Sequence, residues 1–296
     1  MTIKQQLEEY VLATRPWSFT AAIVPIIITA AVCKKSLFSI EFIRAMCMGI
    51  TIQAGANLTN TYFDFINGVD SKINGEKTLV ERKVSCTEVL VLSLICYLSG
   101  LFCILPYLIT SKNLSLPVIF MVGVALAYFY TANPIGLKYK ALGDVTIFLC
   151  FGPLLMQCTS ILLVGSTTDD LYLYSIPVGL LTEEILHVNN ARDIKADSLS
   201  GAITLATIVG PDISYLIFLA LLIGSYLSII IIGLIYHWGC LAALFTIPLA
   251  LSLDKHYREG KMVDLPAETA QLHLPFGIIL ALGIALTESG LIALIQ

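Results

Sequence analysis

Residues 40–70 read IEFIRAMCMGITIQAGANLTNTYFDFINGVD, a largely apolar run that ends in amide and carboxylate side chains. The apolar part is long enough for a membrane-spanning helix, which needs about 20 mostly apolar residues. Asn60 and Asp64 are four positions apart, so they point the same way on a helix. Gly68 fits the end of that helix, and Asp70 would then lie on a turn that curls back toward Asp64. The segment predicts a transmembrane helix with an acidic group at its end.

The composition of the whole chain extends this prediction to the entire protein. Of its 296 residues, 57% are hydrophobic and only 13% are charged, and the mean hydropathy is +0.86. Soluble domains carry about 25% charged residues, so we predict an all-α polytopic membrane protein. A secreted disulfide scaffold, a disordered chain and a soluble nucleic-acid-binding protein are excluded. Nine spans are predicted, at residues 17–33, 40–63, 87–109, 115–132, 141–165, 171–190, 211–235, 237–253 and 271–295.

The positions of the basic residues predict how the chain is oriented in the bilayer. Thirteen of the 17 Lys and Arg residues fall on the N-terminus and on the 2–3, 4–5, 6–7 and 8–9 loops, against four on the opposite side. By the positive-inside rule, the N-terminus is cytoplasmic and the C-terminus is outside. Short loops and the lack of an evident targeting peptide suit a bacterial plasma membrane, with an internal eukaryotic membrane as the alternative.

A second acidic stretch follows the sixth predicted span. Residues 182–197 read TEEILHVNNARDIKAD, and Asn189 and Asp193 repeat the four-residue spacing 129 positions after the first pair. The offset predicts a parallel repeat of helices 1–4 and 5–8, with a ninth helix appended, in one domain over residues 1–296. Such repeats commonly place a site between their halves. One helical face would carry Glu183, His187, Asn190, Asp193 and Asp197.

Carboxylates clustered at the ends of two membrane helices repel one another and are costly to bury. A divalent cation removes both penalties, and Mg²⁺ prefers oxygen ligands and bridges protein carboxylates to a phosphate. Nearby basic residues would neutralise that phosphate, namely Lys72, Lys77, Arg82, Lys138 and Arg192. The alternative is that these Asp and Asn residues are helix caps beside a solvated loop. For Glu183 and His187, a hydrogen-bonded pair is the alternative to a role as base or acceptor contact.

These two stretches, with five others in order, resemble the UbiA superfamily of intramembrane prenyltransferases. The other stretches are RPWSF at 15–19, KTLVER at 77–82, FYTANPIGLKYKALGD at 129–144, FGPL at 151–154 and LPAETAQLHL at 265–274. The resemblance covers essentially the whole chain and is closest to the branch of 1,4-dihydroxy-2-naphthoate polyprenyltransferases and UbiA prenyltransferase domain-containing proteins. It implies a bundle of about nine helices with its active site at the cytoplasmic side.

The resemblance also implies roles for individual residues. The implied Mg²⁺ ligands are Asn60, Asp64, Asp70, Asn190, Asp193 and Asp197. The implied substrate-binding residues are Arg15, near the acceptor, and Asn57, Asn60, Lys72, Lys77, Arg82, Asn189, Asn190 and Arg192. The implied catalytic residues are Asp64, Asp70, Asp193, Asp197, Lys138, Tyr130 and Asp144. Asn57 has a structural alternative, which is to tie helices together by hydrogen bonds. Aromatic side chains that either shield an allylic cation or merely pack are Tyr62, Phe63, Tyr128 and Tyr130.

The implied reaction transfers a polyprenyl chain from its diphosphate to 1,4-dihydroxy-2-naphthoate, with loss of CO₂, and forms demethylmenaquinol in menaquinone biosynthesis. Alternatives are another acceptor (menadione, homogentisate or a glycerol-linked lipid), a cation-coupled transporter, and a non-catalytic quinone or sterol sensor. Transporters favour interrupted helices near the middle of the membrane, whereas these carboxylates crowd one face beside basic loops. The expected partners are a polyprenyl diphosphate, an aromatic acceptor and the lipid bilayer, with no nucleic acid. The sequence indicates no particular oligomeric state.

Overall fold

The computed structural model describes residues 3–70, 78–81, 83–110 and 114–287. In this part of the chain the regular structure is helical, apart from one isolated β-bridge. The α-helices are α1 (Ile3–Ala13), α2 (Thr20–Val32), α3 (Ile40–Ile66), α4 (Cys86–Thr110), α5 (Ser115–Phe129), α6 (Gly143–Leu149), α7 (Leu155–Val164), α8 (Leu171–Ser200), α9 (Leu205–Ile235), α10 (Ile247–Arg258) and α11 (Leu265–Thr287). The predicted all-α fold is therefore confirmed. Three predicted binding residues, Lys72, Lys77 and Arg82, lie outside the described ranges.

Each of the nine predicted spans overlaps one helix or consecutive helical segments, and the ninth, 271–295, is described only as far as Thr287. The first combines a 3₁₀ turn, Pro16–Phe19, with α2, and the fifth joins α6 to α7 through a π-helical turn, Cys150–Leu154. The eighth begins as a 3₁₀ helix, Trp238–Thr246, and continues as α10. Among the described residues, five segments are long and apolar enough to cross a membrane, and the bent pair of α1 and α2 makes a sixth. The chain is a multi-pass integral membrane protein.

The sixth predicted span, 171–190, ends too early as a helix. Helix α8 continues through the acidic stretch to Ser200, and only four residues separate it from α9. Apolar and small residues recur among the charges of this stretch, so one face can still pack while the other is polar. Gly201, at φ 77°, ends α8, and Thr204 begins α9 with a capping box that includes Thr207.

The end of α3 has the turn predicted from its glycine. Gly68 has a φ of 74°, which is strained for a residue with a side chain. The backbone N–H groups of Val69 and Asp70 then donate to the Asp64 carbonyl, at 2.8 and 3.2 Å. Asp70 is therefore brought back beside the last turn of the helix that carries Asp64.

Helix packing buries two main apolar clusters that meet at α2. One lies among α2, α8, α9 and α11 and includes the fully buried Phe218 and Phe276. The other lies among α2, α3 and α7 and includes Ile26 and Leu162. Outward-facing side chains are also apolar, for example Phe102, which is 74% exposed. This surface fits a lipid environment, in which helices satisfy their own backbone hydrogen bonds.

The segment between α5 and α6 is fixed by backbone hydrogen bonds at two points. Within it, the Lys138 N–H donates to the Tyr130 carbonyl at 2.8 Å. The Ala141 N–H donates to the carbonyl of Ile203, between α8 and α9, also at 2.8 Å. This segment therefore holds Lys138 between the end of α3 and the end of α8.

Candidate active site

Asp64 accepts three side-chain hydrogen bonds from the segment between α5 and α6. Its side chain is 4% exposed. Lys138 Nζ donates to both carboxylate oxygens at 2.9 Å, and the Tyr139 hydroxyl donates to Oδ1 at 2.6 Å. Charge-assisted hydrogen bonds of this length are among the strong ones in proteins. The pair Lys138 and Tyr139 thus holds Asp64 at a fixed position at the end of α3.

The end of α8 supplies the opposite acidic group. Arg192 donates to both oxygens of Asp193, at 2.8 and 2.6 Å, and to Asn189 Oδ1 at 2.9 Å. Asp197, one turn further on, is 3% exposed. Arg192 is only partly buried, and its Nη1 donates to the Val263 carbonyl at 3.5 Å. The end of α8 therefore presents two carboxylates and one cation.

A polar cavity of about 590 Å³ lies between these two helix ends. It is lined by the four predicted carboxylates together with basic and amide residues from four parts of the chain. These residues are Asp64, Asp70, Asp193, Asp197, Lys138, Arg192, Arg15, Asn189 and Asn190. The two acidic stretches, 129 residues apart in sequence, thus face one space.

The charges in this cavity are strongly coupled. Burial raises the pKa of Asp197 to about 6, an effect that Lys138 opposes and that Asp193 and Asp64 reinforce. Burial disfavours the charged form of Lys138, but the carboxylates of Asp64 and Asp197 outweigh it and raise the lysine pKa. Lys138 therefore remains a cation, and the pKa of Asp197 lies closer to pH 7 than that of an ordinary carboxyl group.

An apolar groove of about 190 Å³ adjoins the polar cavity. It is lined by α2, α3, α5, α8 and the α6–α7 span, with side chains such as Phe120, Phe151 and Leu155. Arg15, Trp17 and Asn189 line both spaces. An anionic group in the cavity and an apolar chain in the groove would therefore lie end to end.

The other predicted binding residues have structural contacts as well. Asn60 Oδ1 accepts a hydrogen bond from Thr131 at 2.8 Å, and Asn57 donates to the Thr14 carbonyl at 2.8 Å. Both asparagines line the groove. The structure thus includes the tie between segments expected as the alternative role of Asn57.

The predicted aromatic and acidic residues are divided between the groove and its surroundings. Tyr130 lines the groove, and its buried hydroxyl has no hydrogen-bond partner in the described part of the chain. Tyr62, Phe63 and Tyr128 instead form edge-to-face contacts and line neither space. Asp144 also lines neither space, because it turns toward α8. Its catalytic role stays a prediction.

The sequence patterns did not single out Tyr139, although it bonds the central carboxylate. Its position directly after Lys138 was the available signal, but spacing alone does not give the path of an irregular segment. Further cavity-lining residues that were not predicted are Glu9, Trp17, Thr78 and Lys83. Lys83 forms ion pairs with Glu9 and Glu81, so its charge is already balanced.

The residues present fit a Mg²⁺ ion. The cavity offers carboxylate and amide oxygens, which are the ligands that Mg²⁺ takes. Asn190 is 2% exposed, and its Oδ1 has no hydrogen-bond partner among the described residues. A buried amide oxygen without a donor is costly, and a cation in the cavity would satisfy it.

The fold and the site together define a multi-pass membrane protein that can hold an anionic head group beside an apolar chain. The UbiA prenyltransferase family model matches residues 22–274, and the chain belongs to this family as a UbiA-type prenyltransferase. It is 35% identical to UbiA prenyltransferase domain-containing protein 1 of Xenopus tropicalis, over 98% of this chain and 85% of that protein. Its identity to the Homo sapiens protein of the same name is also 35%, over 97% and 86%. A solved UbiA homolog from Archaeoglobus fulgidus bound to GPP and Mg²⁺ shares the fold, with a TM-score of 0.67 at 15% identity over 95% of this chain and 99% of that one.

Proposed function

We propose that this prenyltransferase uses Mg²⁺ to transfer a polyprenyl chain from its diphosphate to an aromatic acceptor, 1,4-dihydroxy-2-naphthoate, with loss of CO₂. The product is demethylmenaquinol. The observation that carries the proposal is the junction of the two spaces. Five carboxylates and four cations line a polar cavity that shares Arg15, Trp17 and Asn189 with an apolar groove. Family membership favours this group transfer over the transporter and sensor alternatives.

The diphosphate would occupy the polar cavity. Its Mg²⁺ ions would be held by Asp64, Asp70, Asn190, Asp193 and Asp197 of the cavity and by Asn60, which lines the adjoining groove. When bound, Mg²⁺ supplies positive charge that stabilises the departing diphosphate. The Archaeoglobus fulgidus homolog, which is bound to GPP and Mg²⁺, supports the same ligand chemistry here.

Two cations of the chain would bind the diphosphate directly. Lys138, fixed between the helix ends, and Arg192, which is partly exposed, both line the cavity. Their charge stabilises the negative charge that develops as the allylic C–O bond breaks. Tyr139 holds Asp64 in place during this step through its 2.6 Å hydrogen bond.

The prenyl chain would lie in the apolar groove with its reactive carbon at the junction. Tyr130 faces the groove and can stabilise the allylic cation with its ring. The apolar lining excludes water, which would otherwise capture the cation. A ring carbon of the acceptor attacks that cation, the carboxyl group leaves as CO₂, and the ring regains aromaticity.

Arg15 supports an acceptor that carries a carboxylate. Its backbone has a φ of 54°, a left-handed conformation, and the Ser18 hydroxyl donates to its carbonyl at 2.8 Å. In the described part of the chain, its guanidinium has no ion pair, and it lines both spaces. A guanidinium at this position suits bidentate binding of a carboxylate.

The test uses the purified protein with 1,4-dihydroxy-2-naphthoate, geranylgeranyl diphosphate and Mg²⁺, followed by mass spectrometry. We expect a prenylated, decarboxylated naphthoquinol that is absent with EDTA and in Asp64→Ala. Diphosphate release without this product would keep the transferase activity and refute the naphthoate acceptor. No reaction of the folded protein with any donor and acceptor pair would refute the transferase proposal.

The second arm of the test compares acceptors. Arg15→Gln should raise KM for the carboxylated naphthoate at least tenfold and leave KM for reduced menadione, which has no carboxylate, nearly unchanged. Equal effects on both acceptors would assign Arg15 to the donor. If the wild type converts only menadione or only homogentisate, that compound replaces 1,4-dihydroxy-2-naphthoate as the proposed acceptor.

The orientation in the membrane, the bacterial plasma membrane and the internal repeat stay predictions.

A further inference from the structure

A second group of possible metal ligands lies deeper in the bundle, between α6 and α8. Asp144, Glu183 and His187 are all buried, at 6%, 4% and 0% exposure. One ligand atom from each lies within 4.8 Å of the other two. None of the three lines the polar cavity or the apolar groove as these are formed by the described residues. The group is therefore separate from the proposed diphosphate site.

Hydrogen bonding fixes the tautomer of His187. Its Nε2 lies 3.0 Å from the Ser214 carbonyl oxygen, which can only accept, so Nε2 carries a proton. In a neutral ring, Nδ1 then has a lone pair, and this atom lies 3.1 Å from Asp144 Oδ1. Two acceptors at this distance need a proton or a metal cation between them. Histidine ligands of metals typically donate their other N–H to a backbone carbonyl in this way.

Each choice satisfies the remaining oxygen atoms. Asp144 Oδ2 and Glu183 Oε2 are buried and have no donor from other described residues, and the two carboxyl groups contact each other. Protons on His187 and Glu183 would make the group neutral, with the Glu183 proton shared with Asp144. One divalent cation balances the two carboxylates and can also bind these oxygens.

We propose that Asp144, Glu183 and His187 bind a divalent transition-metal ion of the Zn²⁺ type, separate from the Mg²⁺ of the polar cavity. One imidazole nitrogen and two carboxylates form a ligand set that suits zinc, whereas Mg²⁺ prefers oxygen ligands alone. The ion joins the first turn of α6 to α8. Because α6 follows the segment that carries Lys138, the metal stabilises the position of that segment.

The test measures metal retained by the full-length protein in nanodiscs. Protein stripped with chelator is equilibrated with Zn²⁺ in the presence of millimolar Mg²⁺, which saturates the aspartates of the cavity, and is then desalted. Elemental analysis should find about one retained zinc per chain. His187→Gln and Glu183→Gln should lose that equivalent, whereas Asp64→Asn should keep it. His256→Gln, at a partly exposed histidine that contacts Glu268 at 2.7 Å, is the matched control and should also keep it.

X-ray absorption on zinc-loaded His256→Gln protein provides a measurement that does not depend on the folding of the cluster variants. We expect one imidazole and two or more oxygen ligands at about 2.0–2.2 Å. Less than a tenth of an equivalent of zinc in the wild type would overturn the proposal and favour the proton-sharing group. Unchanged zinc in folded His187→Gln, or a spectrum without imidazole scattering, would overturn it as well.

Discussion

Replacing Lys138 with Gln should change Mg²⁺ binding and catalysis in opposite directions. Lys138 Nζ lies 2.9 Å from both Asp64 oxygens, and Mg²⁺ binds carboxylate oxygens at about 2.1 Å. An ion on Asp64 would therefore be at most about 5 Å from Nζ. At that distance a double and a single positive charge repel by about 1.7 kcal/mol even at the dielectric constant of bulk water. Without diphosphate, Mg²⁺ should bind Lys138→Gln about 15-fold more tightly.

Turnover should fall in the same variant, because the lysine cation no longer stabilises the leaving diphosphate. Loss of one donor to a developing negative charge typically costs about 10²–10³ in kcat. The assay combines calorimetric Mg²⁺ titration in nanodiscs with prenyl transfer at saturating Mg²⁺. Lys140→Gln is the matched control, since it removes the same charge from an exposed position two residues away, and it should change neither quantity by more than twofold. Weaker Mg²⁺ binding by Lys138→Gln, or full turnover, would refute this account of the cavity.

Three further substitutions test other parts of the structure. Tyr139→Phe removes the hydroxyl that donates to Asp64 at 2.6 Å. Because hydrogen bonds to charged groups are worth about 1.5–3 kcal/mol, kcat/KM measured by diphosphate release should fall about tenfold or more. An unchanged rate would contradict the positioning role of Tyr139. Gly123 lines the groove, and a Cβ there meets nothing within 4 Å. Gly123→Phe should therefore slow prenyl transfer from geranylgeranyl diphosphate at least tenfold more than transfer from dimethylallyl diphosphate, in paired rate measurements. Gly283→Ala should destabilise the protein by about 3 kcal/mol or more, since the new Cβ overlaps the Gly239 carbonyl. In thermal melts in the same detergent, the control Gly123→Ala should have a Tm at or above that of the wild type.

Hydropathy alone predicted the helical spans, because a bilayer leaves few other solutions for long apolar segments. The polar end of α8 was harder to predict, since its charges resemble those of a solvated loop, although its small and apolar residues continue the helix to Ser200. The helical-face argument correctly grouped Asp193 and Asp197, but it also placed His187 with them. In the structure His187 contacts Asp144 on α6. Residues on one helical face lie on several successive turns. Each turn packs against a different neighbouring segment, so residues on the same face can belong to different sites.

The residues around the cavity show the same limit of prediction from sequence, which is that contacts between distant segments are not given by a local pattern. Residue type and spacing identified Lys138, Arg192 and the carboxylates, all of which line one space. The bond from Tyr139 to Asp64 depends on how the segment between α5 and α6 is held against Ile203, which is a long-range contact. Pairing across 60 or more residues leaves no periodic signal in the chain.

The junction of groove and cavity also determines whether the donor's concentration in the lipid or in the buffer controls the reaction rate. A donor whose apolar chain occupies the groove reaches it from the bilayer, so its mole fraction among the surrounding lipids sets the encounter frequency. Adding inert lipid at a constant total amount of donor should therefore slow the reaction, whereas changing the volume of buffer should not. The water-soluble acceptor should follow ordinary bulk kinetics. With the proposed substrates, the enzyme would couple a two-dimensional supply of the donor to a three-dimensional supply of the acceptor.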